Sequence, residues 1–148
     1  MNKDNQEKVS HEPVIFYDGV CGLCNRYINF VLKNMDGTQF KFASLQSDYA
    51  EKVLNRFNVS TGDLNSVYVL TNPESDDCKV LNKSDAVIFI LKGLKAPNPT
   101  FATILSFIPR PLRNAGYSLV AKYRYKIFGK YDTCMLPHSE EAEKFIEV

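Results

Sequence analysis

The sequence predicts a mixed α/β protein whose elements follow the order β-α-β-α-β-β-α, with a helical C-terminal extension. Three observations support this fold class. An apolar run beginning at Val14 is followed by a turn and then by apolar residues at helical spacing. A second strand–helix unit follows, and two such units favour parallel strands with right-handed crossovers. A short turn after Thr71 then predicts a hairpin, which adds antiparallel strands at one edge.

The individual elements follow from periodicity and from turn residues. Strands are expected at about 14–18, 39–45, 66–71 and 78–81, and helices at about 21–35, 48–58, 84–94, 101–108 and 112–128. Ser84 is expected to cap the third helix and Gly129 to end the fifth, with one more helical turn within 139–147. Residues 1–12 are predicted to be a flexible tail. Residues 13–148 are predicted to form a single domain, with a core at about 13–95 and the extension at about 100–148.

Composition limits the classes of partner. The 148 residues carry a net charge of +1, so no overall field attracts nucleic acid or an anionic membrane. The longest apolar run in a predicted helix, 86–91, is too short to span a bilayer, and the polar segment 1–13 shows no signal peptide. A cytoplasmic location is therefore expected. Static structural disulfides are rare in that reducing compartment.

Cys21 and Cys24 form a Cys-x-x-Cys pair where the first strand leads into the first helix. Unpaired backbone N–H groups and a partial positive charge at a helix start stabilise a thiolate there. The three-residue spacing brings both sulfurs to one face, close enough to form a disulfide. This arrangement favours redox chemistry, with metal binding or two inert buried cysteines as alternatives.

The order of elements resembles the thioredoxin fold, and the motif at Tyr17–Asn25 resembles the signature of the DCC family, named for its Asp-x-x-Cys-x-x-Cys start. The resemblance extends from about Val14 to Phe145. It includes Ser84–Ala86, Ile108–Pro109, Leu112–Arg113, Tyr117, Arg124–Tyr125, Phe128–Gly129 and Cys134. The family implies a thioredoxin-like domain acting as a thiol–disulfide oxidoreductase.

One departure from thioredoxins concerns the segment before the third strand. Thioredoxins carry a cis-proline there, facing the two cysteines, whereas this chain has Asn65-Ser66. We expect a trans peptide bond at this position and Ser66 near the sulfurs, where its hydroxyl could donate a weak hydrogen bond to a thiolate.

The residues of the motif have expected roles. Cys21, nearer the helix start, is expected to be the more exposed and more acidic nucleophile, with Cys24 as the resolving thiol. Asp18 would raise a thiol pKa by like-charge repulsion or relay the proton of Cys24. The alternative is that Asp18 only forms the turn or caps the helix.

Residues in the C-terminal half provide further candidates. Arg124 could stabilise the thiolate, more so than Arg110 or Arg113, although such residues are more often on the surface. Tyrosines of this half are expected mainly to pack, and some could line the rim of a substrate groove; they are Tyr117, Tyr123, Tyr125 and Tyr131. Cys134 is interpreted as a third redox thiol or a packing residue.

The sequence thus predicts a dithiol–disulfide oxidoreductase that acts on a protein or small-molecule thiol or disulfide and is recycled by an unidentified reductant. No bound cofactor is expected, because the electrons reside on the sulfurs. One alternative is a zinc-binding module that uses Cys21, Cys24, Cys134 and His138. The other is an adaptor that keeps the fold but has lost turnover.

Overall fold

The computed structural model describes residues 12–35, 40–60, 67–73, 75–95, 99–129 and 144–146. Their elements, in chain order, are β1 (Val14–Tyr17), α1 (Gly22–Asn34), β2 (Lys41–Ser44), α2 (Asp48–Asn55), β3 (Tyr68–Thr71), β4 (Lys79–Asn82), α3 (Lys83–Lys92), α4 (Pro99–Phe107), α5 (Arg110–Phe128) and β5 (Phe145–Ile146). The predicted tail at 1–12 lies outside the described residues except for Glu12.

β1 lies at the centre of a five-stranded sheet with the order β4-β3-β1-β2-β5. It pairs in parallel with β2, and with β3 in the antiparallel sense. β3 and β4 form the predicted antiparallel hairpin, with β4 at the edge. This arrangement confirms the α/β, thioredoxin-like fold predicted from the order of elements.

Helices cover both faces of the sheet because the strand residues alternate between them. On one face, Ile15 and Tyr17 pack in a cluster with Ile28 of α1 and Ile90 of α3. On the other face, Phe16 and its neighbours pack with the inner residues of α2, Ala50 and Leu54. The buried residues of α1 include Ile28, Val31 and Leu32, and those of α2 are Ala50 and Leu54.

Two predictions about the ends of elements were wrong. Residues 145–146, placed in a helical turn, form β5 instead, parallel to β2. The Phe145 ring stacks on Phe42, with ring centroids 5.2 Å apart, so burial against the open edge of the sheet overrides local helix propensity. Ser84 does not cap α3, whose N-cap is Asn82; instead, the Ser84 hydroxyl donates a hydrogen bond to Asn114 of α5.

α5 begins earlier than predicted, at Arg110, because Pro111 is tolerated in the first turn of a helix. Gly129 follows its last turn with a φ of 83°, as a C-cap glycine allows. α5 packs against α1 and α3, which brings its C-terminal end to the start of α1. Across the described residues, no helix is both long and apolar enough to cross a membrane.

Candidate redox site at the start of helix α1

The first cysteine of the motif is the N-cap of α1. β1 ends at Tyr17, and a tight turn follows in which the Cys21 backbone N–H donates to the Asp18 carbonyl oxygen over 3.2 Å. The Cys21 sulfur occupies the position of a capping oxygen and accepts the Cys24 backbone N–H over 3.4 Å. The sulfur is therefore held at the positive end of the helix dipole, as the sequence predicted.

The exposure of the two cysteine residues is the reverse of the prediction. Cys21 has no exposed surface, whereas Cys24 is partly exposed. The prediction assumed that a residue nearer the helix start lies nearer the solvent, but here the C-terminal end of α5 covers the start of α1. Both cysteines are free thiols.

The two thiols have very different acidities. A hydrogen bond from the Cys24 side chain is the main cause that lowers the pKa of Cys21 from 9.0 to about 6, against the opposing effect of burial. The Cys24 backbone N–H and the charge of Arg124 act in the same direction, and Asp18 acts against them. The same side-chain hydrogen bond, together with burial, raises the pKa of Cys24 above its usual range. The pair thus shares one proton and holds one negative charge near neutral pH.

Asp18 is almost completely buried, at 1% exposure, and its carboxylate accepts several hydrogen bonds. Its Oδ1 accepts from the Gln46 side-chain amide at 2.7 Å and from the Val20 backbone N–H at 3.1 Å. It is the turn residue of the alternative interpretation, but it is not the N-cap. Its charge opposes the lowering of the Cys21 pKa.

Arg124 is buried rather than on the surface, and it faces Asp18 from the middle of the C-terminal half of α5. Its Nη2 lies 3.4 Å from Asp18 Oδ2 and 3.1 Å from the Tyr125 hydroxyl oxygen. The Tyr125 hydroxyl in turn donates a hydrogen bond to Asp18 Oδ2. Burial and the bond to Asp18 raise the pKa of Tyr125 to about 12, so this hydroxyl keeps its proton. A cation and a hydroxyl from α5 thereby close the site.

Gly22, between the two cysteines, is where α5 meets α1. Its backbone N–H donates to the Gly129 carbonyl oxygen at 3.1 Å. A Cβ at Gly22 would overlap the carbonyl oxygen of Phe128 and lie 3.0 Å from its carbonyl carbon. The approach of the two backbones therefore requires glycine at this position.

The structure brings together four predicted site residues, namely Cys21, Cys24, Asp18 and Arg124. Arg110 and Arg113 instead pair with Asp85 at the start of α3, at 2.9 and 3.4 Å.

Four other candidates, Ser66, Tyr131, Cys134 and His138, lie outside the described residues. Their predicted roles remain predictions. No group of three or more metal-ligating side chains occurs among the residues that the structure describes.

Sequence reasoning did not identify Gln46 and assigned Tyr125 mainly to packing. Gln46 lies in the turn between β2 and α2, where it also accepts the Gly19 N–H at 3.1 Å, and no sequence pattern marks it. A signal for Tyr125 was available, because it adjoins Arg124 in a stretch that resembles the DCC family. Tyr117 also has a specific contact, since its hydroxyl accepts the Val67 N–H at 2.8 Å.

Comparison with known proteins identifies the family of the chain. The profile of a family described as DCC1-like thiol-disulfide oxidoreductase matches residues 15–130, which span β1 to the end of α5. The chain is 34% identical to "Uncharacterized protein YuxK" of Bacillus subtilis (strain 168), over 90% of this chain and 93% of that protein.

It is also 36% identical to "DCC family protein At1g52590, chloroplastic" of Arabidopsis thaliana, over 84% of this chain and 69% of that protein. No solved structure matches it significantly. The extent of the profile match and these identities show that the chain belongs to the DCC1-like thiol-disulfide oxidoreductase family.

Proposed function

We propose that this protein is a dithiol–disulfide oxidoreductase in which Cys21 is the nucleophile and Cys24 the resolving thiol. The observation that carries the proposal is the double donation from Cys24, backbone and side chain, to the Cys21 sulfur at the start of α1. These bonds favour a thiolate on Cys21 at neutral pH, and the thiolate is the form that attacks disulfides.

The reaction proceeds in two exchanges. The Cys21 thiolate attacks a substrate disulfide, forms a mixed disulfide and releases the first substrate thiolate. Cys24 then loses its proton, attacks the Cys21 sulfur and releases the second substrate thiolate, so the protein gains a disulfide and the substrate gains two electrons. A separate dithiol reductant, not identified by the sequence, restores the two thiols.

Because Cys21 is buried, its side chain must move before it can attack a substrate disulfide. The incoming disulfide approaches from the side of Cys24, which is partly exposed, and the Cys21 side chain turns outward to meet it. That rotation breaks the bond from the Cys24 N–H, so it also makes the nucleophile stronger at the moment of attack.

Asp18 and Arg124 position and tune the pair. Arg124 offsets the charge of Asp18 and of the thiolate. Asp18 either raises the thiol pKa by like-charge repulsion or relays the proton that Cys24 must lose. Ser66 and Cys134 remain candidates for tuning. If Asp18→Ala folds normally but exchanges disulfides more slowly, the relay is supported, and unchanged kinetics would remove it.

The test is reduction of insulin disulfides by dithiothreitol, with the wild type compared with Cys21→Ser and Cys24→Ser. We expect both variants to lose the catalysed rate, and Cys24→Ser to accumulate a mixed disulfide on Cys21 that mass spectrometry locates. Equal rates for wild type and Cys21→Ser would instead indicate an adaptor. A mixed disulfide that forms on Cys24 in Cys21→Ser at the wild-type rate would reverse the two roles.

The reduction potential of the Cys21–Cys24 pair then sets the direction of the reaction. A potential near that of thioredoxin would indicate a reductase, and a much higher one an oxidase or isomerase.

We also propose a cytoplasmic location, in which the Cys21–Cys24 pair is kept reduced. Alkylation of the thiols in intact cells before lysis would measure the reduced fraction of the pair directly.

A further inference from the structure

A cavity of about 500 Å³ adjoins the site on the side of Cys24, which lines it. Its other walls come from α1, α3, α4 and α5, and they are mostly apolar, as shown by Leu23, Val87, Leu105 and Val120. This volume falls within the range of about 300–1,000 Å³ typical of small-molecule sites. A bound molecule would therefore contact apolar surface and one cysteine of the redox pair.

Two polar atoms of the cavity residues lack partners. The Tyr27 hydroxyl and Arg113 Nε are buried and have no hydrogen-bond partner within the described part of the chain. Arg113 already uses its Nη2 on Asp85, so its Nε–H remains available. Buried polar atoms without partners are rare in folded proteins, and both atoms belong to residues that line the cavity, so a hydrogen-bond acceptor on a bound ligand is the kind of group that they lack.

On its exposed side the cavity wall is apolar as well. Leu112 and Ile108 line the cavity and are themselves 65% and 39% exposed. Gly116 of α5 also lines it, and a Cβ there would meet no atom within 4 Å. We take this exposed, apolar side of the wall as the entrance.

We propose that this cavity binds the apolar body of a small disulfide substrate that also carries a carboxylate or a similar hydrogen-bond acceptor. This inference rests on the proposed function and names its substrate class. The aromatic or alkyl part of the substrate lies among the apolar walls, and its disulfide lies at Cys24. Its acceptor group accepts hydrogen bonds from the Tyr27 hydroxyl and from Arg113 Nε. Exchange then proceeds as above: the substrate disulfide is reduced to two thiols while the Cys21–Cys24 disulfide forms.

The experiment narrows the entrance with Gly116→Leu and uses Gly116→Ala as the matched control. Pre-reduced protein is mixed with 5,5′-dithiobis(2-nitrobenzoate), an aromatic disulfide with carboxylates, or with the small hydrophilic 2-hydroxyethyl disulfide. Loss of the Cys21 and Cys24 thiols is followed in quenched samples, and the rate of the Cys21→Ser/Cys24→Ser double variant is subtracted as background.

We expect Gly116→Leu to slow the reaction of the aromatic disulfide about tenfold and that of the hydrophilic one less than twofold. With the aromatic disulfide, the rate of Gly116→Ala should fall between those of the wild type and Gly116→Leu. If Gly116→Leu slows the reactions of both disulfides equally, or slows neither, the cavity is not the substrate site. If the wild type oxidises its pair with neither disulfide, the proposed function itself fails, which is a separate result.

A second variant decides the case if Gly116→Leu does not fold. Tyr27→Phe removes only a hydroxyl that has no hydrogen-bond partner among the residues that the structure describes, so no described bond of the fold is lost. We expect this variant to react about threefold more slowly with the carboxylated disulfide. Its rate with diphenyl disulfide, which has no such acceptor group, should equal that of the wild type. Equal effects on the two aromatic disulfides would contradict the assignment of the acceptor to Tyr27.

Discussion

Adding one methyl group between the two cysteines, in Gly22→Ala, should destabilise the protein and disturb the site. The new Cβ overlaps the Phe128 carbonyl oxygen and would lie 3.3 Å from that of Gly129. Both atoms belong to backbone, so no side-chain rotation can relieve the contact. The end of α5 must move away from the start of α1, and the bond from the Gly22 N–H to the Gly129 oxygen, now 3.1 Å, is lost.

The magnitude follows from these two effects. Overpacking of this kind costs about 1–3 kcal/mol, and the lost hydrogen bond about 1 kcal/mol. The better helix propensity of alanine offsets less than 1 kcal/mol of this. We therefore expect a net loss of about 2 kcal/mol, which lowers the Tm of a domain of this size by roughly 4–8 °C.

Thermal and urea unfolding of the reduced protein measure the loss, and Gly116→Ala is its control. That substitution makes the same chemical change within a helix, but nothing lies within 4 Å of the new Cβ. It should raise stability by about 0.5–1 kcal/mol through backbone entropy. If Gly22→Ala unfolds at the wild-type temperature while Gly116→Ala behaves as expected, the close approach of α5 to the Cys-x-x-Cys turn is wrong.

Three further predictions concern the charges of the site. The free energy of unfolding of the reduced protein should rise between about pH 6 and pH 9, because folded Cys21 has lost its proton there and the unfolded thiol has not. Urea unfolding under a phosphine reductant measures this rise, and Cys21→Ser should abolish it; a rise that persists would assign it to other groups. Arg124→Met should raise the pKa of Cys21 and cost about 3–5 kcal/mol, since it leaves the buried Asp18 without its cation, whereas Asp18→Asn should lower that pKa. Ultraviolet titration of the thiolate checks both directions, and an unchanged midpoint in both variants would contradict this electrostatic account. Protein purified without chelator should carry far less than one equivalent of zinc by elemental analysis; stoichiometric zinc would defeat the dithiol mechanism and favour a site with Cys134 and His138.

The sequence predicted the fold well because its strongest signals are local. Strand runs, helical periods and the turn before β4 place most elements within about two residues of the boundaries observed. The errors fall where distant residues decide the conformation. The Phe145 ring stacks on that of Phe42, which is about 100 residues earlier in the chain. The Ser84 hydroxyl donates a hydrogen bond to Asn114 of α5 instead of capping α3.

In the site, too, local features could be predicted from the sequence and features that depend on distant residues could not. The position of Cys21 at a helix start follows from the strand–turn–helix pattern, and so does its acidity. Its burial does not, because it depends on α5, more than 80 residues further along the chain. Gln46 and Tyr125 surround Asp18 for the same reason: each reaches it from an element that is distant in sequence.

These contacts make α5 part of the redox site rather than an appendage to it. A carboxylate at 1% exposure needs a cation or several donors, and removing the partner of a buried charge costs several kcal/mol. The turn between β1 and α1 gives Asp18 the Val20 N–H, and Gln46 reaches it from the turn after β2. Within the described part of the chain, only α5 supplies a positive charge and a hydroxyl. The Cys-x-x-Cys turn therefore reaches this arrangement of charges only when α5 is docked. Any movement of α5 that exposes Cys21 must also weaken the pairing that holds Asp18, so access to the nucleophile and the acidity of the thiols are coupled through one helix.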